Sequence, residues 1–409
     1  MAKIRNATPN FNSEKDFIKF YLDIADKQQQ IEAITKYREW LARLDESKAA
    51  LIRAIAENLY TERTQHFFLE LLQNADDNRY DAGVEPTIEF DYPGRSVLTI
   101  RNNETGFSAE DVYSITTAAL STKYLSDDSA YIGEKGIGFK SVFAVAERVD
   151  IHSNGYHFSL YNGEYIIPHW IEEPYHQERQ TEIVLHLKQD QNLPRKIADN
   201  LKELSGQTLG MILFLRNLRF IIIKHPDGKA DRIRIADNGK YRDLLANDCR
   251  ESRFYLYKYV EKMTAPEIMS RYSKLYQDKA IKALKREIIF AVPDPTVMDI
   301  GGFSGSYFAF LQTRMATGLN MHIQIDAETT TNREQYTLMS DSLWNARMLA
   351  NLEGQLYKLF LALRDEPNFR GKLPEFFPNP RVGGRSRHVL SGEKIRKADQ
   401  GGAPRRPQI

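Results

Sequence analysis

Cysteine is almost absent. Cys249 is the only one in 409 residues, which excludes an internal disulfide and any zinc site built on several thiolates. It also suits a reducing compartment. Long apolar runs are missing too. The longest covers residues 211–223 and is interrupted by Arg216, Asn217 and Arg219. A helical membrane span needs ~20 apolar residues, so this run reads as buried core and no membrane partner is expected. The opening MAKIRNATPNFNSEKDF carries no apolar signal core, and a soluble cytoplasmic or nuclear protein is expected. An excess of one charge is lacking as well. Lys and Arg number 56 and Asp and Glu 55, a net of +1, which does not describe a globally basic nucleic-acid binder. That sum hides an asymmetry. Residues 381–409 hold eight Lys or Arg and two Asp or Glu, a net of +6, so the preceding residues carry −5.

What is present is ordinary globular material. Apolar residues make up 42% and charged residues 27%, and the 21 Phe and 21 Tyr can bury far more than a disordered chain would. Residues 13–60 read as helices, with Ser13 as cap and Phe17, Phe20, Tyr21 and Ile24 at helical spacing. A helix is expected over 64–78 and strands over 87–92 and 97–101. Ser108 should cap a helix running to about Leu120, with a loop over 121–140. Strands follow at 148–152, 156–160 and 182–188, then a helix at 196–216. Further strands are expected at 220–224, 232–235, 287–292, 306–312 and 320–326. Ser340 should cap one long helix that buries Leu343, Trp344, Met348, Leu352, Leu356, Leu359 and Leu363. The expected division is a helical segment 1–60, a domain 61–195, a second domain 196–378 and a basic, disordered tail 379–409.

Four short segments carry chemistry. Glu70, Asn74 and Asp77 fall within roughly 40° of one another on the 64–78 helix, a polar stripe between apolar flanks; a single Glu or Asn there is more commonly just part of a solvated face. Asn102-Asn103-Glu104-Thr105-Gly106-Phe107 follows a strand and reads as a turn. Gly133-Glu134-Lys135-Gly136-Ile137-Gly138-Phe139-Lys140-Ser141 is glycine-rich enough for backbone N–H groups to approach an anion. It lacks the Walker spacing and no strand is predicted before it, so neither a P-loop nor a dinucleotide fold fits. Thr181 opens the strand at 182–188.

In that order and spacing the four resemble the motifs of the GHKL ATPase superfamily: E-x-x-x-N-A-x-D, D-x-G-x-G, G-x-x-G-x-G and a Thr-led strand. Leu59 to Asn78, and Ser121-Thr122-Lys123 with Ile132–Phe143, resemble its sacsin-like or Nov-like branch. The second half adds Thr330-Thr331-Asn332-Arg333-Glu334, similar to an N-x-S-R-E stretch in the middle domain of ninety-kilodalton heat-shock chaperones. The resemblance covers residues 30–365. It implies an α+β chain: a two-layer α/β sandwich of the Bergerat type, followed by a middle-type α/β domain. It also implies ATP and Mg²⁺ as ligands, with Glu70 as general base and Asn74 as the Mg²⁺ ligand. Asp77 would support the nucleotide end of the pocket, and Thr181 would bond near the adenine. Gly133, Gly136, Ile137, Gly138 and Phe139 would line the phosphates under a lid that includes Thr122 and Lys123. Lys123, Lys135 and Lys140 are candidate phosphate cations, and Arg333 is a candidate arginine finger.

One departure stands out. Counting back from Gly106 places Asn102 where the family reads adenine with an Asp, and Glu104 where it has a glycine. An amide oxygen still accepts a hydrogen bond but carries no charge. The resemblance implies a slow, chaperone-like conformational ATPase acting on an unknown protein client, with an ATP-dependent homodimer through residues 13–60. Two alternatives remain. One is a chromatin ATPase of the MORC type, with the basic tail on nucleic acid; the Gly-Phe-Lys-Ser ending at 138–141 resembles that group. The other is a pseudo-ATPase scaffold. A histidine kinase does not fit, since no His-bearing helix pair precedes the motifs.

Overall fold

The computed structural model describes residues 11, 13–44, 66–117, 138–172, 180–206, 210, 212–264, 266–267, 285–330 and 335–376. They fold as two units. The first draws on residues 1–210, 215–234 and 246–248, the second on 211–214, 235–245 and 249–409. Both combine helices with mostly antiparallel sheet.

The first unit opens with α1 (Glu14–Leu22) and α2 (Lys27–Leu44). Ser13 caps α1 as expected, accepting from the Asp16 N–H at 3.2 Å. The Phe17 ring stacks on Tyr37 with centroids 3.8 Å apart. Tyr21 donates to the Ala109 carbonyl and Tyr156 to Gln30 Oε1, so both helices are built into this unit. Next come α3 (His66–Asp77), β1 (Thr87–Asp91), β2 (Val97–Asn102), α4 (Ala109–Ile115) and a short 3₁₀ helix (Gly138–Ala144). Then follow β3 (Ala146–Ser153), β4 (Tyr156–Tyr161), β5 (Glu164–Trp170), β6 (Thr181–Leu187), α5 (Leu193–Gly206), β7 (Phe220–Lys224) and β8 (Ala230–Asp237).

The strands run β8-β7-β1-β2-β6-β3-β4-β5, and the β1–β7 pair is parallel. Alternation sorts their side chains. Ile88, Phe90, Leu98, Ile100, Val149, Ile151, Ile183 and Leu185 are buried on one face. On the other, Arg101 bonds Glu89, Asp91 and Glu182, and His186 lies 2.7 Å from Asp150. A one-residue slip would exchange the two faces, so this pattern fixes the register.

The second unit holds β9 (Tyr241–Ala246), β10 (Cys249–Lys262), β11 (Lys285–Pro293), β12 (Ser306–Ala309), β13 (Leu311–Ala316) and β14 (His322–Ile325). They are ordered β13-β12-β14-β11-β10-β9, and α6 (Leu343–Ala350) and α7 (Leu352–Asp365) follow. Its core joins Trp344, Met348, Leu356, Leu359 and Leu363 to Ile288, Phe290, Ile323 and Ile325.

Several expected elements take a different form. The long C-terminal helix is two helices meeting at Asn351, and Ser342 rather than Ser340 caps the first, accepting from the Asn345 N–H. The expected helix at 196–216 ends at Gly206, a residue that exposes backbone and costs about 1 kcal/mol in a helix interior. The single strand expected at 306–312 folds back at Phe310, whose φ is 65°, into the β12–β13 pair. Strands β5, β9 and β10 were not foreseen. Among the described residues no helix is long and apolar enough to cross a membrane. The expected tail lies outside the described residues.

Candidate functional site

Helix α3 carries Glu70, Asn74 and Asp77, all half-buried. What fixes this helix is a residue outside that stripe. Asp76 is fully buried and continues the Phe68–Leu72 row at i, i+4 spacing. Its carboxylate accepts the backbone N–H groups of Arg216, Asn217 and Leu218, each at 2.8 Å. Asn217 Nδ2 donates in turn to the Asp76 carbonyl at 2.7 Å. The last turn of α3 is thereby tied to the segment entering β7. A carboxylate on an apolar helix row must find donors, and that is the signal which could have singled out Asp76.

The second element is a polar row at one end of the apolar sheet face. Asn102 closes β2 directly across from Thr181 on β6, and Ser153 closes β3 beside them. All three are buried. Asn102 Oδ1 accepts the Glu104 N–H at 2.9 Å. That donor is unambiguous, so it sets the amide's orientation. Asn102 Nδ2 then donates to the Tyr80 hydroxyl at 2.9 Å, which itself donates to the Ala75 carbonyl at 2.6 Å. The turn after β2 is thus linked to α3 within the first motif. An aspartate at this position could not donate to Tyr80, so the asparagine has a structural reason here.

Glu104 places its carboxyl on the same row. It is 6% exposed, and Oε1 accepts from Thr181 Oγ1 at 2.5 Å. Thr181 is 2.6 Å from Ser153 Oγ, which accepts the Phe107 N–H at 2.8 Å. With Glu104 ionised, the directions run from the Phe107 N–H to Ser153, Ser153 to Thr181 and Thr181 to Glu104. Burial pushes the Glu104 carboxyl up to about 7, against the pull of the Thr181 hydrogen bond and with help from Asp111. Gly106 has φ +88°, and a Cβ there would stand 2.6 Å from Asn154 Cβ. The turn therefore needs glycine at that position.

The third element is the end of the glycine-rich segment. Gly138 opens the 3₁₀ helix, and Phe139 and Lys140 are buried in it. Lys140 Nζ donates to the Ile115 and Tyr165 carbonyls, and burial lowers its ammonium to about 7. It joins the end of α4 to β5. Thr122, Lys123, Gly133, Lys135, Gly136, Ile137 and Arg333 lie outside the described residues. The structure brings Asn102, Gly106 and Thr181 together and links them to α3. Sequence reasoning missed Asp76, Tyr80 and Ser153, and it took Glu104 only as a departure from a motif. Among the described residues no three His, Cys, Asp or Glu side chains form a metal cluster. Asn74, one helical turn from Glu70 on α3, carries an amide oxygen, a hard donor of the kind Mg²⁺ takes.

Comparison with known proteins agrees with the motif resemblance. The chain is 28% identical over 380 residues to Protein NO VEIN of Arabidopsis thaliana, covering 87% of this chain and 13% of that protein. It is 33% identical over 175 residues to the chaperone protein HtpG of two Coxiella burnetii strains, covering 34% of this chain and 27% of the chaperone. The chain thus spans well under a third of the length of each. No family model matches it.

Proposed function

We propose that the first unit is a GHKL-type nucleotide domain, a two-layer Bergerat sandwich, and that the chain binds Mg-ATP and hydrolyses it slowly to drive a chaperone-like conformational change. The observation that carries this reading is the joining of two motifs far apart in sequence. Asn102 and Thr181 meet across the β2–β6 pair, and Tyr80 bonds that end of the sheet to the helix of Glu70, Asn74 and Asp77. The partial likeness to HtpG supports it.

In this reading Glu70 orients and deprotonates the attacking water. Asn74 would hold Mg²⁺ through its amide oxygen, and the ion would neutralise phosphate charge. Asp77 steadies the nucleotide end of the pocket. The main chain from Gly133 to Phe139 cradles the phosphates, and Thr122, Lys123 and Lys135 belong to a lid that orders on binding. Lys140 positions the loop end through its two carbonyl partners. By the resemblance of residues 330–334, the Arg333 guanidinium would stabilise charge developing on the phosphates. Arg333→Ala is expected to slow turnover on the order of 10²-fold while ADP binding is unchanged, compared by phosphate release and calorimetry. Unaltered turnover would remove Arg333 from this role.

A second reading has its own observation. Asn102 and Glu104 are both engaged in internal hydrogen bonds, which suits a scaffold that binds nucleotide without turning it over. Binding of ATP with no phosphate release from the unaltered chain would favour it.

A further inference from the structure

Two acceptors compete for the base on the polar row, and their hydrogen bonds differ. The Asn102 amide oxygen already takes the Glu104 N–H, and the amide nitrogen already serves Tyr80. Glu104 uses Oε1 for Thr181, while its Oε2 has no hydrogen-bond partner among the described residues. A carboxyl on a residue that is 6% exposed is costly to keep ionised. Burial accordingly raises it to about 7. A donor arriving from a ligand would relieve that cost. Hydrogen bonds to an ionised acceptor are roughly twice as strong as neutral ones.

Resting on the nucleotide-binding reading, we propose that Glu104 is the specificity-determining residue of the site and accepts the exocyclic amine of an adenine nucleotide, with Asn102 holding the turn. The Phe107–Ser153–Thr181 relay then has a task. It delivers one oriented hydroxyl to Oε1 and leaves Oε2 for the base. Around the carboxyl, α4 brings Asp111, and the segment after α3 brings the Tyr80 hydroxyl, which burial keeps protonated. Strands β2, β3 and β6 bring only the amide of Asn102 and the hydroxyls of Ser153 and Thr181. Asp111 disfavours the Glu104 anion, and a donor arriving from a ligand would offset that effect.

The test is calorimetric titration of the full chain with Mg-ATP and Mg-ITP, which differ at the exocyclic amine. At pH 8 the unaltered chain should prefer ATP by about tenfold or more. Glu104→Ala should bring the ratio near one, whereas Asn102→Ala, which loosens the turn, should weaken both nucleotides together and keep ATP preferred. Glu104→Gln keeps an oxygen for Thr181 and guards against misfolding. It should give a smaller ratio that does not change between pH 8 and pH 6, whereas the ratio of the unaltered chain should fall over that range. A ratio that persists in Glu104→Ala, or collapses only in Asn102→Ala, overturns the assignment. Absence of heat with either nucleotide from a folded, unaltered chain would instead remove the nucleotide reading itself.

Discussion

Glu70→Ala is expected to keep Mg-ATP binding and to lose hydrolysis by about 10³-fold or more, within the 10²–10⁴ that a positioned acid or base contributes. The side chain is half-buried on α3, one turn before Asn74. In the proposed reading that spacing would let Glu70 address a water and Asn74 a phosphate-bound ion without competing for one place. Alanine leaves α3 intact, because it is the best helix former and because the anchor of the helix is Asp76. Binding and turnover should therefore separate. Phosphate release read beside calorimetry checks this, and turnover equal to that of the unaltered chain would end the role of Glu70 as base.

Asp76→Ala should cost about 3–5 kcal/mol of stability. Three backbone N–H groups lose their acceptor at once, and each buried donor left unmatched costs about 1–3 kcal/mol. Water entering the space returns part of that, so the lower half of the summed range is expected. Against a total of about 5–15 kcal/mol, this is enough to unfold a sizeable fraction of the protein at 37 °C. Asp76→Asn should cost less, because one oxygen can still serve Asn217 and Leu218 while only the Arg216 N–H is lost. Urea unfolding of the three proteins gives the order. A loss below about 1 kcal/mol for the alanine variant would contradict the anchoring of α3 by Asp76.

Local signals in the sequence marked several residues of the candidate site and little of their wiring. The stripe of Glu70, Asn74 and Asp77 follows from 3.6-residue periodicity, and the Ser108 cap appears in full, with Asp111 closing the box. The β2–β6 pairing did not follow, because residues far apart in sequence, such as Asn102 and Thr181, leave no local trace of their contact. The relay through Ser153 depends on that pairing. Tyr80 reads from sequence as an ordinary loop aromatic, and only the fold shows its hydroxyl bridging two motifs. Strand β10 is rich in Phe254, Tyr255, Tyr257, Tyr259 and Val260, all strand formers. Charged residues on its exposed positions masked the alternation. Gly106, expected in a turn, adopts the positive φ that its turn requires.

Glu104 shows how a motif departure acquires meaning. By sequence it is a glycine replaced by an acid. In the fold that acid receives the Thr181 hydroxyl, the group the motif resemblance assigns to the base. The replacement is therefore wired into the site. Asn102 serves Tyr80 and the Glu104 N–H together, which makes the two departures a pair. Asn102→Asp alone would supply the acid of the motif it resembles and remove the hydrogen bond donated to Tyr80.

The most direct test of the central claim is titration of the full, unaltered chain with Mg-ATP, repeated with the metal chelated. The predicted result is saturable heat with one nucleotide per chain, weakened when Mg²⁺ is removed. No heat with ATP or ADP at high concentration, from a chain shown by circular dichroism to be folded, would contradict it.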